Sequence, residues 1–359
     1  MVPTSRVFGL LALLLVACDT TPVAVDAPVD AGLPDAPAPF DPLAVHWEAR
    51  TVPALANPIW GHAAATLPDG RALVFGGAIG DGSAASDEAL LVDASSGDIV
   101  LTPIAGTGPS ERWCGCATYD GARDRVLIAG GRNGANLGGI PGDTWTLDVA
   151  SGTYAELAGA STPSSVIGCA LAYSETARAT YWFGGASATG VSAVMHRLDA
   201  DGTAWVALPA TGPTPRYDAH LEAIDGGRAL LLFAGSYGSA GAAFYSDVWR
   251  FDVATETWTE VTVEGGTPPG RRAPWVRMAN GERGFYAGFG YDGAMAPLGD
   301  LHYFDLTTAS WIPVAPAGEV PPARGFSPAL EGPEGSVGIL FMGLSSTSGI
   351  ADAYVLARD

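Results

Sequence analysis

Apolar residues along this chain come in short dense blocks, not at the three-to-four spacing of an amphipathic helix. The densest blocks close on glycine: Ala72-Leu73-Val74-Phe75-Gly76-Gly77, Val126-Leu127-Ile128-Ala129-Gly130-Gly131 and Thr180-Tyr181-Trp182-Phe183-Gly184-Gly185. They return as Leu230-Leu231-Leu232-Phe233-Ala234-Gly235, Phe285-Tyr286-Ala287-Gly288-Phe289-Gly290 and Gly338-Ile339-Leu340-Phe341-Met342-Gly343. The closing glycines lie 54, 54, 50, 55 and 53 residues apart. A period of that length marks an array whose units bury their apolar faces only against one another. A run that is apolar at successive positions predicts a strand covered on both faces.

Two further anchors keep step with the glycines. Nineteen residues before the closing glycine stands Arg112, Arg216, Arg271 or Arg324, with Pro58 and Val166 in the remaining repeats. Each of these arginines follows a proline by three: Pro109, Pro213, Pro268 and Pro321. After the glycines, Asp148, Asp199, Asp252 and Asp305 each precede an aromatic by six: Tyr154, Trp205, Trp258 and Trp311. The first repeat keeps Asp93, with Ile99 in the aromatic place. Each repeat therefore predicts four short strands. The third is like 247–252 and the fourth like 257–261, both with the alternation of half-exposed strands.

A hydrophobic run, a double glycine and an aromatic pair across a turn resemble the kelch repeat. The resemblance covers 45–359 and is strongest in repeats four and five. It implies an all-β fold, a six-bladed propeller with four-stranded blades, similar to the central domain of galactose oxidase. The family's Tyr seven residues before the Trp is replaced here by Val92, Leu147, Leu198, Phe251 and Phe304. Repeat six stops after its third strand, 352–356. Val45-His46-Trp47-Glu48-Ala49-Arg50 resembles the missing fourth, so the amino-terminal strand is expected to close the last blade as its outermost strand. Closure removes an exposed edge.

Ahead of the repeats, Arg6 and the apolar run Val7–Val16 form a signal-peptide core too short to span a bilayer. Leu15-Val16-Ala17-Cys18 resembles the lipobox of bacterial lipoproteins, which implies cleavage after 1–17 and lipidation of Cys18. Residues 18–44 are rich in Pro, Ala and Asp and read as an extended tether. The expectation is a propeller anchored by lipid to a bacterial membrane in the cell envelope, on the periplasmic side or at the cell surface.

The formal net charge is −20, and all 18 basic residues are Arg. Such a field repels nucleic acid and anionic lipid as partners. Without Lys, Schiff-base chemistry is excluded. Gly 48 and Pro 27 fit a turn-rich β protein.

The candidate chemistry is sparse. Of the histidines, His62 and His220 share a place when counted back from the closing glycine, with Cys116 at that place in repeat two. Propeller inner strands turn their side chains between blades, so no metal site is expected. The resemblance raises copper-radical oxidation, but its cross-linked Tyr–Cys pair, second Tyr and two His cannot be placed on matching repeats, so no cofactor is assigned. Cys114 and Cys116 share one side of a first strand and Cys169 has the opposite parity in the next, so a disulfide from Cys169 to either is expected in an exported protein. Glycine-rich loops such as 131–134 and 290–293 join strands and open no helix, so they are not phosphate cradles.

Arg112, Arg216, Arg271 and Arg324 begin first strands and so share one face. Trp113, Tyr217 and Arg272 follow three of them directly. These seven residues form the candidate binding set, suited to an acidic peptide or a carboxylate-bearing glycan through forked hydrogen bonds and stacking. The competing reading makes each Arg a brace for its own turn or for an Asp of the next blade. The functional expectation is a monomeric binding propeller. The alternatives are a carbohydrate-active kelch enzyme, an oxidase or a sugar epimerase, and a purely structural envelope component.

Overall fold

The computed structural model describes residues 40–54, 58–133, 139, 141–157, 163, 166–209, 211–238, 242–279 and 283–359. Cys18 and most of the tether lie outside them. Asp41–Asp359 is one compact unit, so the folded body starts a few residues ahead of the expected boundary at 45. The Tyr286 hydroxyl donates to the Pro42 carbonyl at 3.0 Å, and the Asp359 N–H donates to the Ala44 carbonyl at 3.1 Å.

Six sheets of four or five strands recur among the described residues, five of them antiparallel with their strands in chain order and the sixth completed by the amino-terminal strand. Sheet one comprises Ala63–Thr66, Ala72–Phe75, Ala89–Asp93 and Val100–Ile104. Sheet two comprises Trp113–Asp120, Arg125–Arg132, Thr144–Asp148 and Thr153–Glu156. Sheets three, four and five start with the inner strands Ala170–Ser174, His220–Ile224 and Trp275–Met278. In sheet six Ala329–Leu330, Ser336–Phe341 and Ala353–Arg358 are joined by Val45–Arg50.

The apolar second strands are the reason the sheets stack. Leu73 and Phe75 of sheet one pack with Val126 and Ile128 of sheet two, whose Leu127 and Ala129 turn the other way onto Leu171 and Trp182 of sheet three. The same alternation joins three to four through Phe183 and Leu232, and four to five through Phe233 and Phe285. Val74 meets Ile339 and Phe341 of sheet six. Between sheets five and six, the Trp275 indole donates to the Ile339 carbonyl at 2.8 Å. Every sheet thus has two packed faces and two neighbours, and the order closes on itself as a β-propeller.

At the axis, one residue at the start of each inner strand adopts a left-handed conformation: Gly61, Cys114, Gly168, Asp218, Ala273 and Phe326, with φ between +48° and +62°. These residues form a backbone relay. Gly61 donates to Phe326 O (2.9 Å), Cys114 to Gly61 (2.6 Å), Gly168 to Cys114 (2.8 Å), Asp218 to Gly168 (2.7 Å) and Ala273 to Asp218 (2.8 Å). Five of the six N–H groups thus point to the preceding sheet. Four of the six positions are not glycine, and each carries a cost of about 1 kcal/mol or more.

The relay corrects one alignment. Gly61 to Gly77 spans one residue fewer than Asp218 to Gly235, because the ladder between the first two strands of sheet one is one pair shorter, 63–66 on 72–75 against 220–224 on 229–233, while its turn is only one residue longer. His62 therefore corresponds to Ala219 and not to His220, whose counterparts are Ala63 and Cys116. The two histidines do not face one another across the axis.

The amino-terminal strand pairs with Ala353–Arg358 over its full length, from Val45 opposite Arg358 to Arg50 opposite Ala353. It is the fourth strand of sheet six but not the last, since Ala317–Gly318 lies parallel along its outer edge. Trp47, 2% exposed, seats edge-on against Trp275 and Phe289, both at 5.8 Å. Replacing Trp47 with Ala should cost ~3–5 kcal/mol in denaturant unfolding; an unchanged midpoint would show that the strand contributes nothing to closure.

His46 bridges the seam. Its Nδ1 lies 2.5 Å from Asp359 Oδ1 and its Nε2 3.0 Å from Glu48 Oε1, with Arg50 also bonded to Glu48. The Glu48 hydrogen bond, then that to Asp359, raises the imidazole above its ordinary value. A raised His stabilises fully below its unfolded pKa of ~6.5 and loses that contribution as pH rises through the folded value. Amide exchange of 45–50, corrected for intrinsic rate, should therefore accelerate as pH rises above neutrality. His46→Asn should flatten that dependence.

Candidate functional site

The four repeat arginines are internal. Arg112, Arg216, Arg271 and Arg324 are each at most 1% exposed. Arg112 forks onto Asp143 (2.6 and 3.0 Å) and also donates to the Gly130 carbonyl (3.2 Å). Arg216 repeats this with Asp247 (2.6 and 2.8 Å) and Ala234 O (3.1 Å), and Arg271 with Asp300 (2.7 and 2.7 Å) and Phe289 O (3.1 Å). Arg324 takes Asp352 and Met342 O. Each Asp opens the third strand of the same sheet, so the brace closes within one blade and not onto the next. Burial alone would raise the Asp143 and Asp300 carboxyls; the guanidiniums overcome that and hold both below the ordinary carboxylate value. These four side chains have no free donor face, which corrects the expectation that they bind a ligand.

The residues that follow them behave differently. Trp113, Tyr217 and Arg272 lie outside the braces and join an aromatic collar around the axis. Trp60 meets Trp113 edge-on at 4.7 Å and Phe326 at 5.5 Å, and Tyr291 lies 5.6 Å from Phe326. Two guanidiniums sit on this collar. Arg132 stacks 3.8 Å above Trp113. Arg272 lies 5.2 Å from the Tyr217 ring and 5.1 Å from Phe326, donates to the Tyr217 hydroxyl at 2.9 Å, and pairs with Asp218 at 3.3 Å.

The cations and Asp218 sense one another's charge. Burial raises the Asp218 carboxyl, partly offset by Arg272 and then Arg132. The buried Cys114 thiol is likewise pushed up, by burial first and Asp218 second. A thiol so held is no nucleophile at neutral pH. Arg132 makes no ion pair within 4 Å among the described residues, and its Nε is buried without a hydrogen-bond partner. Arg272 alone pairs with the buried Asp218 carboxylate, and Arg132 acts on it only at longer range.

Arg132 and Asp218 escaped the reading of the sequence. Arg132 follows Gly130-Gly131, where the other repeats carry Ala78, Ala186, Ser236, Tyr291 and Leu344. An arginine at that one step was the available signal.

Below the collar the six inner strands line a cavity of about 370 Å³. Its walls include His220, which lies 3.1 Å from Glu222. Burial would raise Glu222, but the His220 hydrogen bond holds it low. His62 is buried edge-on to Phe341, and burial drops its imidazole to about 3. Among the described residues no three His, Cys, Asp or Glu gather as a metal set.

Cys116 and Cys169 form a disulfide between the inner strands of sheets two and three, Cα to Cα 5.9 Å. Cys114 is free because its left-handed backbone turns it toward Gly61 of sheet one, where a Cβ would lie 3.4 Å from its Sγ.

An all-β ring of four-stranded blades with repeated double-glycine turns and a collared axis defines a kelch-type β-propeller. The chain belongs to the KLHDC2/KLHL20/DRC7 Kelch-repeats domain family, whose profile matches residues 143–343. It is similar to Kelch domain-containing protein 1 of Homo sapiens, 35% identical over 68 residues, 19% of this chain and 16% of that protein. It is also similar to Leucine-zipper-like transcriptional regulator 1 of Pongo abelii, 27% identical over 149 residues, 40% of this chain and 18% of that protein. The similarity spans less than a fifth of either relative's length.

Brace and collar make opposite predictions. Arg216→Ala strands Asp247, whose side chain is 23% exposed, and should cost about 3 kcal/mol. Arg132→Ala removes a stacked guanidinium but strands no paired charge, and should cost no more than about 1 kcal/mol. Comparable losses for both in urea titrations would refute the distinction.

Proposed function

We propose that this protein is a binding propeller whose collar receives a carboxylate-bearing partner, an acidic peptide segment or a uronic-acid glycan. The observation that carries the reading is Arg132: a guanidinium laid on Trp113, without an ion pair within 4 Å among the described residues, beside Arg272. In a chain of net charge −20, Arg132 and Arg272 stand together at that end of the axis beside Asp218. A half-buried guanidinium with free donors takes a planar carboxylate through a fork. Trp60, Trp113 and Phe326 are buried beneath the guanidiniums and give them a rigid apolar backing. Asp218 adds an acceptor that favours a ligand with a hydroxyl or N–H beside its carboxylate.

Titrating glutamate-rich peptides and oligogalacturonate into the full chain tests this. Arg132→Ala should weaken binding about 10- to 100-fold, the worth of a charge-assisted pair, with at most a small loss of stability. Affinity equal in parent and variant would remove the collar as the site, and the preferred titrant separates peptide from glycan.

The same reading places the propeller on a lipid anchor in the cell envelope, supported by Leu15-Val16-Ala17-Cys18 behind an apolar core. Several acyl chains on one Cys give firm attachment. Cys18→Ser should move the protein from the membrane fraction to the soluble fraction; unaltered fractionation would rule the anchor out.

A further inference from the structure

The position directly after each relay residue holds His62, Gly115, Cys169, Ala219, Pro274 or Ser327. Two of these side chains reach the preceding sheet. Cys169 is bonded there to Cys116 of sheet two. His62 packs edge-on against Phe341 of sheet six at 5.9 Å. The interface between sheets two and three is therefore covalent at the position where the interface between sheets six and one holds an imidazole. With Cys169 in a disulfide, His62 is the one side chain of the six that titrates.

His62 is 3% exposed, and neither ring nitrogen has a hydrogen-bond partner among the described residues. Ile59, Val74, Ile339 and Phe341 form the apolar cluster of the same interface. A neutral imidazole tolerates that place; an imidazolium, with neither water nor a partner, does not. No acid is placed to compensate it. His62 shares the cavity wall with Asp218 and Glu222, both on sheet four, and these are engaged by Arg272 and His220. Cys114, Tyr119, Tyr173 and Arg277 are the other titratable groups on that wall. In sheet six Arg324 and Asp352 are spent on each other and Glu331 on Arg277, and in sheet one Asp69 pairs with Arg71. Burial alone acts on the His62 imidazole, lowering it to about 3.

We infer that His62 is an acid-sensitive latch between sheets six and one: uptake of a proton drives the imidazole out of the gap and opens the ring at this interface ahead of the others. Opening parts Ile59 and Val74 from Ile339 and Phe341, and it breaks the relay bond from Gly61 to Phe326. The seam inside sheet six moves the other way, because the hydrogen bonds to Glu48 and Asp359 raise His46 and strengthen in acid. Acid therefore separates two blades and does not shed the amino-terminal strand. A lowered imidazole stabilises the closed state in full above its solvated pKa of ~6.5, and that contribution is lost as pH falls. The opening constant should rise about tenfold per pH unit below ~6.5, or about 25-fold from pH 7 to pH 5. Ordinary carboxylates stay ionised across that window.

Native-state amide exchange on the full chain, corrected for intrinsic rate, tests this at pH 7, 6 and 5. Ala63–Thr66, Ala72–Phe75 and Ser336–Phe341 should open about 25-fold more often at pH 5, and Ala229–Phe233 and Gly284–Gly288 should not change. His62→Leu and His62→Gln should each abolish the response. Burial also lowers His196 of sheet three, whose Nδ1 has no partner among the described residues; any response there should survive in the His62 variants. Acceleration spread evenly over all six sheets would overturn the latch, as would equal pH dependence in parent and variants. A reading on the parent alone guards against variants that fail to fold. In 13C-histidine-labelled protein the His62 ring carbon should keep its neutral shift down to pH 5, and titration between pH 6 and 7 would overturn the proposal.

Discussion

The backbone relay at the axis is the constraint on which the rest of the structure depends. Six inner strands converge on one line, each with a residue in the left-handed region at its start, and five of these residues donate their N–H to the preceding sheet. That twist is costly except at Gly61 and Gly168. It is held because the sheets on either side are already fixed by packing of the apolar second strands. The relay sets the angular spacing of the blades, and the spacing decides which side chains meet at the mouth. Asp218 stands beside Arg272, and Cys114 beside Gly61, because both belong to the relay.

A second shell of interactions runs outward from it. The closing glycines donate to the next sheet, Gly77 to Arg112 O (2.8 Å) and Gly185 to Arg216 O (3.0 Å). The residue before each of these glycines has positive φ, and at Gly184 a Cβ would stand 2.4 Å from the Arg216 carbonyl. The arginine whose carbonyl receives this bond turns its guanidinium back into its own blade and locks the third strand through Asp. One residue thus ties two blades by its backbone and braces one by its side chain. This double duty places the guanidinium indoors, and the positions one step further on, Trp113, Tyr217 and Arg272, stand at the collar instead.

The period, the strands and the amino-terminal closure could be read from the sequence because each rests on a repeated local pattern. The braces could have been read too. The residue just before each third strand is Asp143, Asp247, Asp300 or Asp352 in the repeats that carry Arg, while in repeat three Val166 and Val194 replace both partners. The paired loss is the signature of a buried contact, visible within one chain. The collar was harder. Trp113, Tyr217 and Arg272 follow the arginines in sequence, but Arg132 arrives from a different strand, and only blade spacing lays it on Trp113. The disulfide partner was undecidable from parity alone, since Cys114 and Cys116 share parity in a regular strand and only the left-handed turn at Cys114 separates them.

The seam in sheet six has a topological consequence. Val45 stands opposite Arg358, so the two ends of the folded body are neighbours, and the ring has a cyclic order but no first blade. Joining 44 to 359 with a few residues and opening the chain at an outer turn, such as 254–256, would give a circular permutant with every strand pairing intact. The opened blade would then be the fourth, and the present seam would become an ordinary covalent turn. The gap in the chain is thus a movable defect in a closed ring, and the pairing geometry, not the order of synthesis, defines the fold.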